Sequence, residues 1–174
     1  GEAGGTHPRA SLLIEPVRIF ANNDPDKIDL LLEVFIPQER FSGFIPKAAN
    51  LLRNRSGELL NVTVREIVQD SDTALPYAKT EVFGLVMLFT LDLTKEAEQG
   101  FAELTRELIE RALLEGGTFY LPYRNYASPE QLHRSYPGLD SFLETKESWD
   151  PQTIFASGFY DYLLKSQKEW NQKL

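Results

Sequence analysis

The clearest alternation of apolar and polar residues in the chain runs from Ile28 to Ile36 and predicts a β-strand. One face of this strand is wholly aliphatic and consists of Leu30, Leu32, Val34 and Ile36. Glu33 lies on the other face, beside Phe35. The strand therefore turns a carboxylate away from the side that a hydrophobic core needs.

Three later segments also predict strands. Leu59 to Gln69 alternates, and Phe83 to Leu93 is nearly all apolar, as is typical of a central strand buried on both faces. Thr118 to Tyr123 follows as the last strand. In the first of these segments, the alternation sets the polar residues Asn61, Thr63 and Arg65 against the apolar residues Leu60, Val62 and Val64.

Two segments between the predicted strands have the spacing of amphipathic helices. The first runs from Gln38 to Asn54, and Pro46 predicts a kink or break in it because proline lacks the backbone donor of a helix interior. Thr94 is a good N-cap for the second helix, which Gly116 and Gly117 end.

The C-terminal part of the chain predicts a helical extension. Ser128 to Gln131 has the pattern of a capping box with proline at the first helical position. Pro137 interrupts that helix, and Leu139 to Lys146 resumes it. Phe155 to Leu164 forms an aromatic-rich tail.

The order of elements from Ile28 to Tyr123 is β-α-β-β-α-β, which predicts an α+β, ferredoxin-like fold. In this fold an antiparallel sheet carries helices on one face, and the second face is bare unless another domain covers it. Glu33, Asn61, Thr63 and Arg65 are the polar residues expected there. They are typical of the floor of a polar-substrate site, and equally of a solvated sheet face with incidental ion pairs.

Composition excludes several classes of function. The chain has 174 residues, enough for one domain, and a net charge of −8 that disfavours binding to nucleic acid. It has no cysteine and only two histidines, His7 and His133, so we expect no metal site. Asp70 and Asp72 are interpreted as turn formers rather than Ca²⁺ ligands. No apolar run is long enough to predict a transmembrane segment.

Three C-terminal motifs carry a family resemblance. They are GGTFYLPYR at Gly116–Arg124, YPGLDSFL at Tyr136–Leu143, and WDPQTIFAS at Trp149–Ser157. In this order they resemble the C-terminal end of FAD-linked oxidases of the vanillyl-alcohol-oxidase-like superfamily. The similarity points to the alditol oxidase, sugar-lactone oxidase and decaprenylphosphoryl-ribose oxidase branches. Upstream, LEVFIP at Leu32–Pro37 and VREIV at Val64–Val68 resemble the first and middle strands of that family's substrate-side cap domain.

The resemblance implies a division of labour between two domains. Residues 28–174 would form the cap domain with its helical tail, and residues 1–27 would be a tail and linker from an N-terminal FAD-binding domain that this sequence lacks. FAD would be held mainly by that missing domain, the chain's partner. The complete enzyme would oxidise a small alcohol or sugar-like CH–OH group, and the isolated fragment would be inactive and bind no FAD.

The resemblance also implies roles for single residues on the sheet. Glu33 matches a Glu or Gln that points at the substrate and helps to orient a hydroxyl group. Arg65 matches an arginine near substrate and flavin, where a cation stabilises developing negative charge. These two are the expected catalytic residues, and Arg65 is also expected to contact the cofactor. Thr63 is expected to contact the substrate, in a position where some relatives have a carboxylate.

The remaining expected contacts lie further along the chain. Tyr120 and Tyr123 belong to the last predicted strand, and for each a role in substrate binding stands beside packing in the core or at the sheet edge. In several relatives a lysine stands at the position of Tyr123. Arg124 is a partial substitute for that lysine, although strand alternation places it on the opposite face. Ser157 is a candidate cofactor contact in the C-terminal tail, and packing is its alternative role.

A second hypothesis needs no flavin. A free-standing ferredoxin-like module for ligand binding or regulation has the same order of elements, and such domains often dimerise through the exposed sheet face. A haem-binding or oxygenase-type ferredoxin-like barrel is disfavoured, because no histidine is predicted on the sheet. The expected location is cytoplasmic by default.

Overall fold

The computed structural model describes residues 24–53 and 57–173. The short strand predicted between Ser11 and Ile19, His7, and most of the expected linker of residues 1–27 lie outside the described residues. Within them, the chain folds as a sheet with helices packed on one side.

An antiparallel sheet is built from strands β1 (Lys27–Pro37), β2 (Glu58–Ile67), β3 (Val82–Asp92) and β4 (Thr118–Phe119). Their order across the sheet is β2-β3-β1-β4, and every neighbouring pair is antiparallel. The helices are α1 (Gln38–Leu52), α2 (Lys95–Leu114), α3 (Pro129–Ser135), α4 (Leu139–Trp149) and α5 (Gly158–Asn171). This topology confirms the predicted α+β, ferredoxin-like class with its helical extension.

One face of the sheet forms the main hydrophobic core. The aliphatic side of β1, including Val34 and Ile36, packs there with Phe44 of α1 and Leu108 of α2. Buried residues of the C-terminal helices, such as Leu163, join the same cluster. The predicted division of β1 into two faces is confirmed.

The helix ends follow the predicted capping chemistry. The Thr94 side chain accepts a hydrogen bond from the backbone N–H of Ala97, and Ser128 forms a complete capping box with Gln131. After α2, Gly116 has a φ of +77°, a conformation that favours glycine. These local signals fix where α2 and α3 begin and where α2 ends.

Of the kink or break predicted at Pro46, the break does not occur, because α1 continues through the proline. Phe44 and Ala48 are buried on either side of the proline and hold both halves of the helix against the sheet. Pro46 itself is exposed, as is Ser42, whose carbonyl loses its helical donor. Water can satisfy that carbonyl, so the packing of the two flanking residues outweighs the lost hydrogen bond.

Two strand predictions also need correction. The last strand ends at Phe119 rather than Tyr123, because the chain turns at Leu121 and Pro122. The alternation argument for Tyr123 and Arg124 therefore does not apply. In β2 a register shift between Leu59 and Asn61 places Leu59 opposite Phe89. Leu59, rather than the predicted Leu60, thus shares the helix-covered side with Val62.

The second sheet face is only partly bare. The segment after β2 folds back over one end of it, where Tyr77 stacks on Phe35 with ring centroids 4.4 Å apart. The hydrogen bonds that hold this segment include those from the Asp70 N–H to the Ala78 carbonyl and from the Thr118 hydroxyl to the Tyr77 carbonyl. The expectation of a wholly bare face is therefore wrong for this end of β1 and β3.

The two remaining polar predictions concern Asp70 and His133. Asp70 accepts hydrogen bonds from the backbone of Asp72 and Thr73, which makes it a turn former as predicted. His133 is half-buried, and it stacks on Trp170 with its Nε2 3.7 Å from Oδ1 of Asp140. Among the described residues, no cluster of three acidic or histidine side chains is arranged to hold a metal ion. The same residues contain no helix with the length and apolarity needed to cross a bilayer.

Candidate functional site

A buried carboxylate stands at the centre of the sheet face that the helices leave uncovered. Glu33 lies in the middle of β1, and 5% of its surface is exposed. Its neighbours Leu32 and Val34 point into the main core, so strand alternation directs Glu33 to the opposite side. Burial of a carboxylate is unfavourable unless polar groups surround it, and the site is defined by those groups.

Two side chains from different elements interact with Glu33. The hydroxyl of Tyr123, in the turn after β4, donates a hydrogen bond to the carboxylate, and the guanidinium of Arg65 on β2 attracts it. Burial raises the pKa of Glu33, while Arg65 and the hydrogen bond from Tyr123 lower it; burial has the larger effect. The pKa of Tyr123 is raised as well, by burial first and then by the charge of Glu33.

The strand register explains how Glu33 and Arg65 come close. Residues that pair across antiparallel strands have their side chains on the same face, and together they form a row across the sheet. The row that contains Glu33 includes Val86 on β3 and Thr63 on β2. The adjacent row runs from Phe35 through Gly84 to Arg65. Glu33 and Arg65 therefore lie on the same face, one row apart and with β3 between their strands.

Aromatic side chains border the carboxylate on the β4 side. The backbone N–H of Tyr120 donates to the carbonyl of Glu33 at 3.0 Å, which extends the ladder by one bond beyond β4. The Tyr120 ring packs edge-on against Tyr123 at 5.0 Å and against Tyr77 at 5.7 Å. The site thus has an aromatic wall on one side, while Thr63 and Arg65 are exposed on the other.

Five of the residues expected at the site are brought together by the fold: Glu33, Thr63, Arg65, Tyr120 and Tyr123. Arg124 is exposed and lines a cleft with Tyr126 near the start of α2. Ser157 caps α5, where its hydroxyl accepts a hydrogen bond from the N–H of Tyr160 at 3.2 Å. This contact shows Ser157 as the N-cap of α5, and its contact with the cofactor stays a prediction.

Three residues of the site were missed in the sequence. Tyr77 reaches Phe35 from a loop whose sequence is irregular, so no periodic signal pointed to it. Ile67 lies at the end of β2, two residues beyond Arg65 and on the same face. Gly84 left a visible signal, because a glycine in a nearly all-apolar central strand often marks a close approach of other groups.

The arrangement is suited to binding a hydroxyl group. An ionised Glu33 accepts a proton or a hydrogen bond, the Tyr123 hydroxyl donates one, and Arg65 supplies a fixed positive charge. A raised pKa brings the carboxyl group closer to the range in which a general base or acid is effective.

No model of a known protein family matches this chain, and no curated protein matches it.

Proposed function

We propose that this chain is the substrate-side cap domain of an FAD-dependent oxidoreductase that oxidises an alcohol or sugar-like CH–OH group. The observation that carries the proposal is the grouping of Glu33, Tyr123 and Arg65 on the sheet face opposite the helices. The sequence resemblance assigns substrate contact to the same face. A structural ion pair alone would not need a carboxylate buried among aromatic rings.

Each residue has a defined task in this proposal. Glu33 accepts the hydrogen bond of the substrate hydroxyl and takes its proton as the carbon is oxidised. Tyr123 holds the carboxylate through its own hydroxyl and keeps it facing the substrate. Arg65 stabilises the negative charge that develops on the substrate oxygen before the proton has fully moved.

The donor set fits the substrate end of a flavin site. When bound, the flavin would supply the acceptor for hydride, a chemistry that belongs to the cofactor. The described residues around Glu33 offer one guanidinium and several hydroxyls, which suit a small polar substrate. A diphosphate needs more cations or a helix N-terminus, and its binding is assigned to the partner domain.

The decisive experiment uses the complete product of the reading frame that encodes this segment. We expect the purified protein to show the visible absorption bands of oxidised flavin. Mixing it with a polyol should bleach those bands, and Glu33→Gln should slow the bleaching by about 10²- to 10⁴-fold, the range of general acid–base catalysis. Arg65→Gln should slow it as well.

Glu66→Gln is the matched control. Glu66 lies on the same strand as Arg65, but its register partner Phe83 places it on the other side of the sheet. This variant should reduce flavin at the wild-type rate. A folded, colourless complete protein would refute the proposal and favour the free-standing ligand-binding module. Unchanged bleaching in both site variants would refute the assignment of the site.

A further inference from the structure

Gly84 occupies an unusual place for a glycine. It is buried in the central strand β3, and its register partners are Phe35 on β1 and Arg65 on β2. A glycine in a strand interior weakens the strand and leaves nothing to pack, so its presence usually reflects a close approach by another group. Here the neighbouring side chains show which groups approach.

A side chain at position 84 would meet atoms of at least three neighbouring side chains. A Cβ built on Gly84 would lie 2.9 Å from Cδ1 of Ile67, 3.3 Å from Oε1 of Glu33 and 3.3 Å from Cδ1 of Phe35. The space above Gly84 is therefore already used by its neighbours. One of them is the carboxylate at the centre of the site.

The position of Glu33 Oε1 is informative because Glu33 belongs to a different row. Its backbone pairs with Val86, two residues further along β3. To come this close to Gly84, the side chain must lean along the strand from its own row into the next one. That next row ends at Arg65. The lean therefore carries the carboxylate towards the guanidinium.

We propose that Gly84 is a positioning residue, whose missing side chain lets the Glu33 carboxylate extend across β3 towards Arg65. The catalytic use of this geometry rests on the proposed function, but the geometry itself belongs to the present chain. A methyl group at position 84 would push the carboxylate back towards its own row and weaken its interaction with Arg65.

The test measures the electrostatic coupling between the two charged residues. Carbon-13 labelling of the glutamate carboxyl groups allows the pKa of Glu33 to be followed by NMR, with Glu33→Gln assigning the signal. In the protein with Gly84, Arg65→Gln should raise the pKa of Glu33, because a positive charge is lost. In the Gly84→Ala background, where the new Cβ would displace the carboxylate, the same substitution should raise it by a smaller amount.

A second variant distinguishes displacement of the Glu33 carboxylate from the steric clash with Ile67. Ile67→Val removes the Cδ1 atom that lies nearest to a Cβ at position 84. The double variant Gly84→Ala/Ile67→Val should therefore be more stable than Gly84→Ala alone. If Gly84→Ala does not fold, the pKa of Glu33 is measured in the double variant instead. The reduced coupling should persist in it, because the new methyl group still lies against Glu33.

Gly43→Ala is the matched control, since a Cβ there has nothing within 4 Å. It should leave the coupling at the wild-type value. Equal coupling in the wild type and in Gly84→Ala, or recovery of the coupling by Ile67→Val, would overturn the positioning role. The titration needs no flavin, so either result is independent of whether the complete protein is an oxidase.

Discussion

Replacement of Glu33 by glutamine removes the charge that the folded protein buries and keeps the shape of the side chain. The amide oxygen can still accept the hydrogen bond from Tyr123. The variant therefore isolates the free energy of burying an ionised carboxylate in this site. We expect Glu33→Gln to be more stable than the wild type at neutral pH, although it should be less active.

The direction and size of the effect follow from the raised pKa of Glu33. Well below its ordinary value of 4.5, the carboxyl group is protonated in both the folded and the unfolded state, so the charge has no effect on stability. Between 4.5 and the higher folded-state pKa, the folded protein binds more protons than the unfolded one, and wild-type stability falls as pH rises. The loss is about 1.4 kcal/mol for each pKa unit of elevation.

Urea unfolding of both proteins between about pH 4 and pH 8 measures this difference. The stability gap in favour of Glu33→Gln should widen as pH rises from 4.5 and level off above the folded-state pKa. Glu66→Gln, an exposed position on the opposite face, should change stability by less than about 0.5 kcal/mol throughout. A gap for Glu33→Gln that stays constant with pH would refute the reasoning.

Three further predictions concern the scaffold. Gly117→Ala should lower the free energy of unfolding in urea by more than about 3 kcal/mol, because the new Cβ would lie 2.1 Å from a carbonyl oxygen of β1; a loss below about 1 kcal/mol would contradict this. Ser128→Ala should cost about 1 kcal/mol in the same assay through loss of the capping box of α3. Burial raises the pKa of Tyr162 to about 12, so Tyr162→Phe should remove a tyrosine that resists ionisation in an ultraviolet alkaline titration; loss of a normally titrating tyrosine instead would contradict it.

Local patterns in the sequence were enough to predict most of the fold. The alternation in β1 identified its core side because alternate residues of a strand point to the same face. The four aliphatic residues therefore had to lie together, on the face that packs in the core. Thr94 and Ser128 marked helix starts for an equally local reason, since each cap bonds within its own first turn. Such signals depend on neighbours within a few residues.

The candidate site was predictable only in part. Glu33 and Arg65 were placed on one face by strand alternation, and the register confirms that arrangement. The hydrogen bond from Tyr123 to Glu33 depends on the turn at Pro122, and the cover by Tyr77 depends on a loop held by distant hydrogen bonds. Neither contact leaves a periodic trace in the sequence, because both join residues that are far apart along the chain.

The two outer strands of the described sheet differ in their tendency to recruit another chain. β4 pairs over two residues and then turns away, so it offers little backbone to an incoming strand. β2 is long, and it exposes Val62 and Val64 by 42% and 49%. Unpaired backbone next to exposed β-branched residues is the usual starting point of edge-to-edge aggregation. Val64→Lys, at the more exposed of the two positions, is thus suited to keeping concentrated samples of this chain monodisperse.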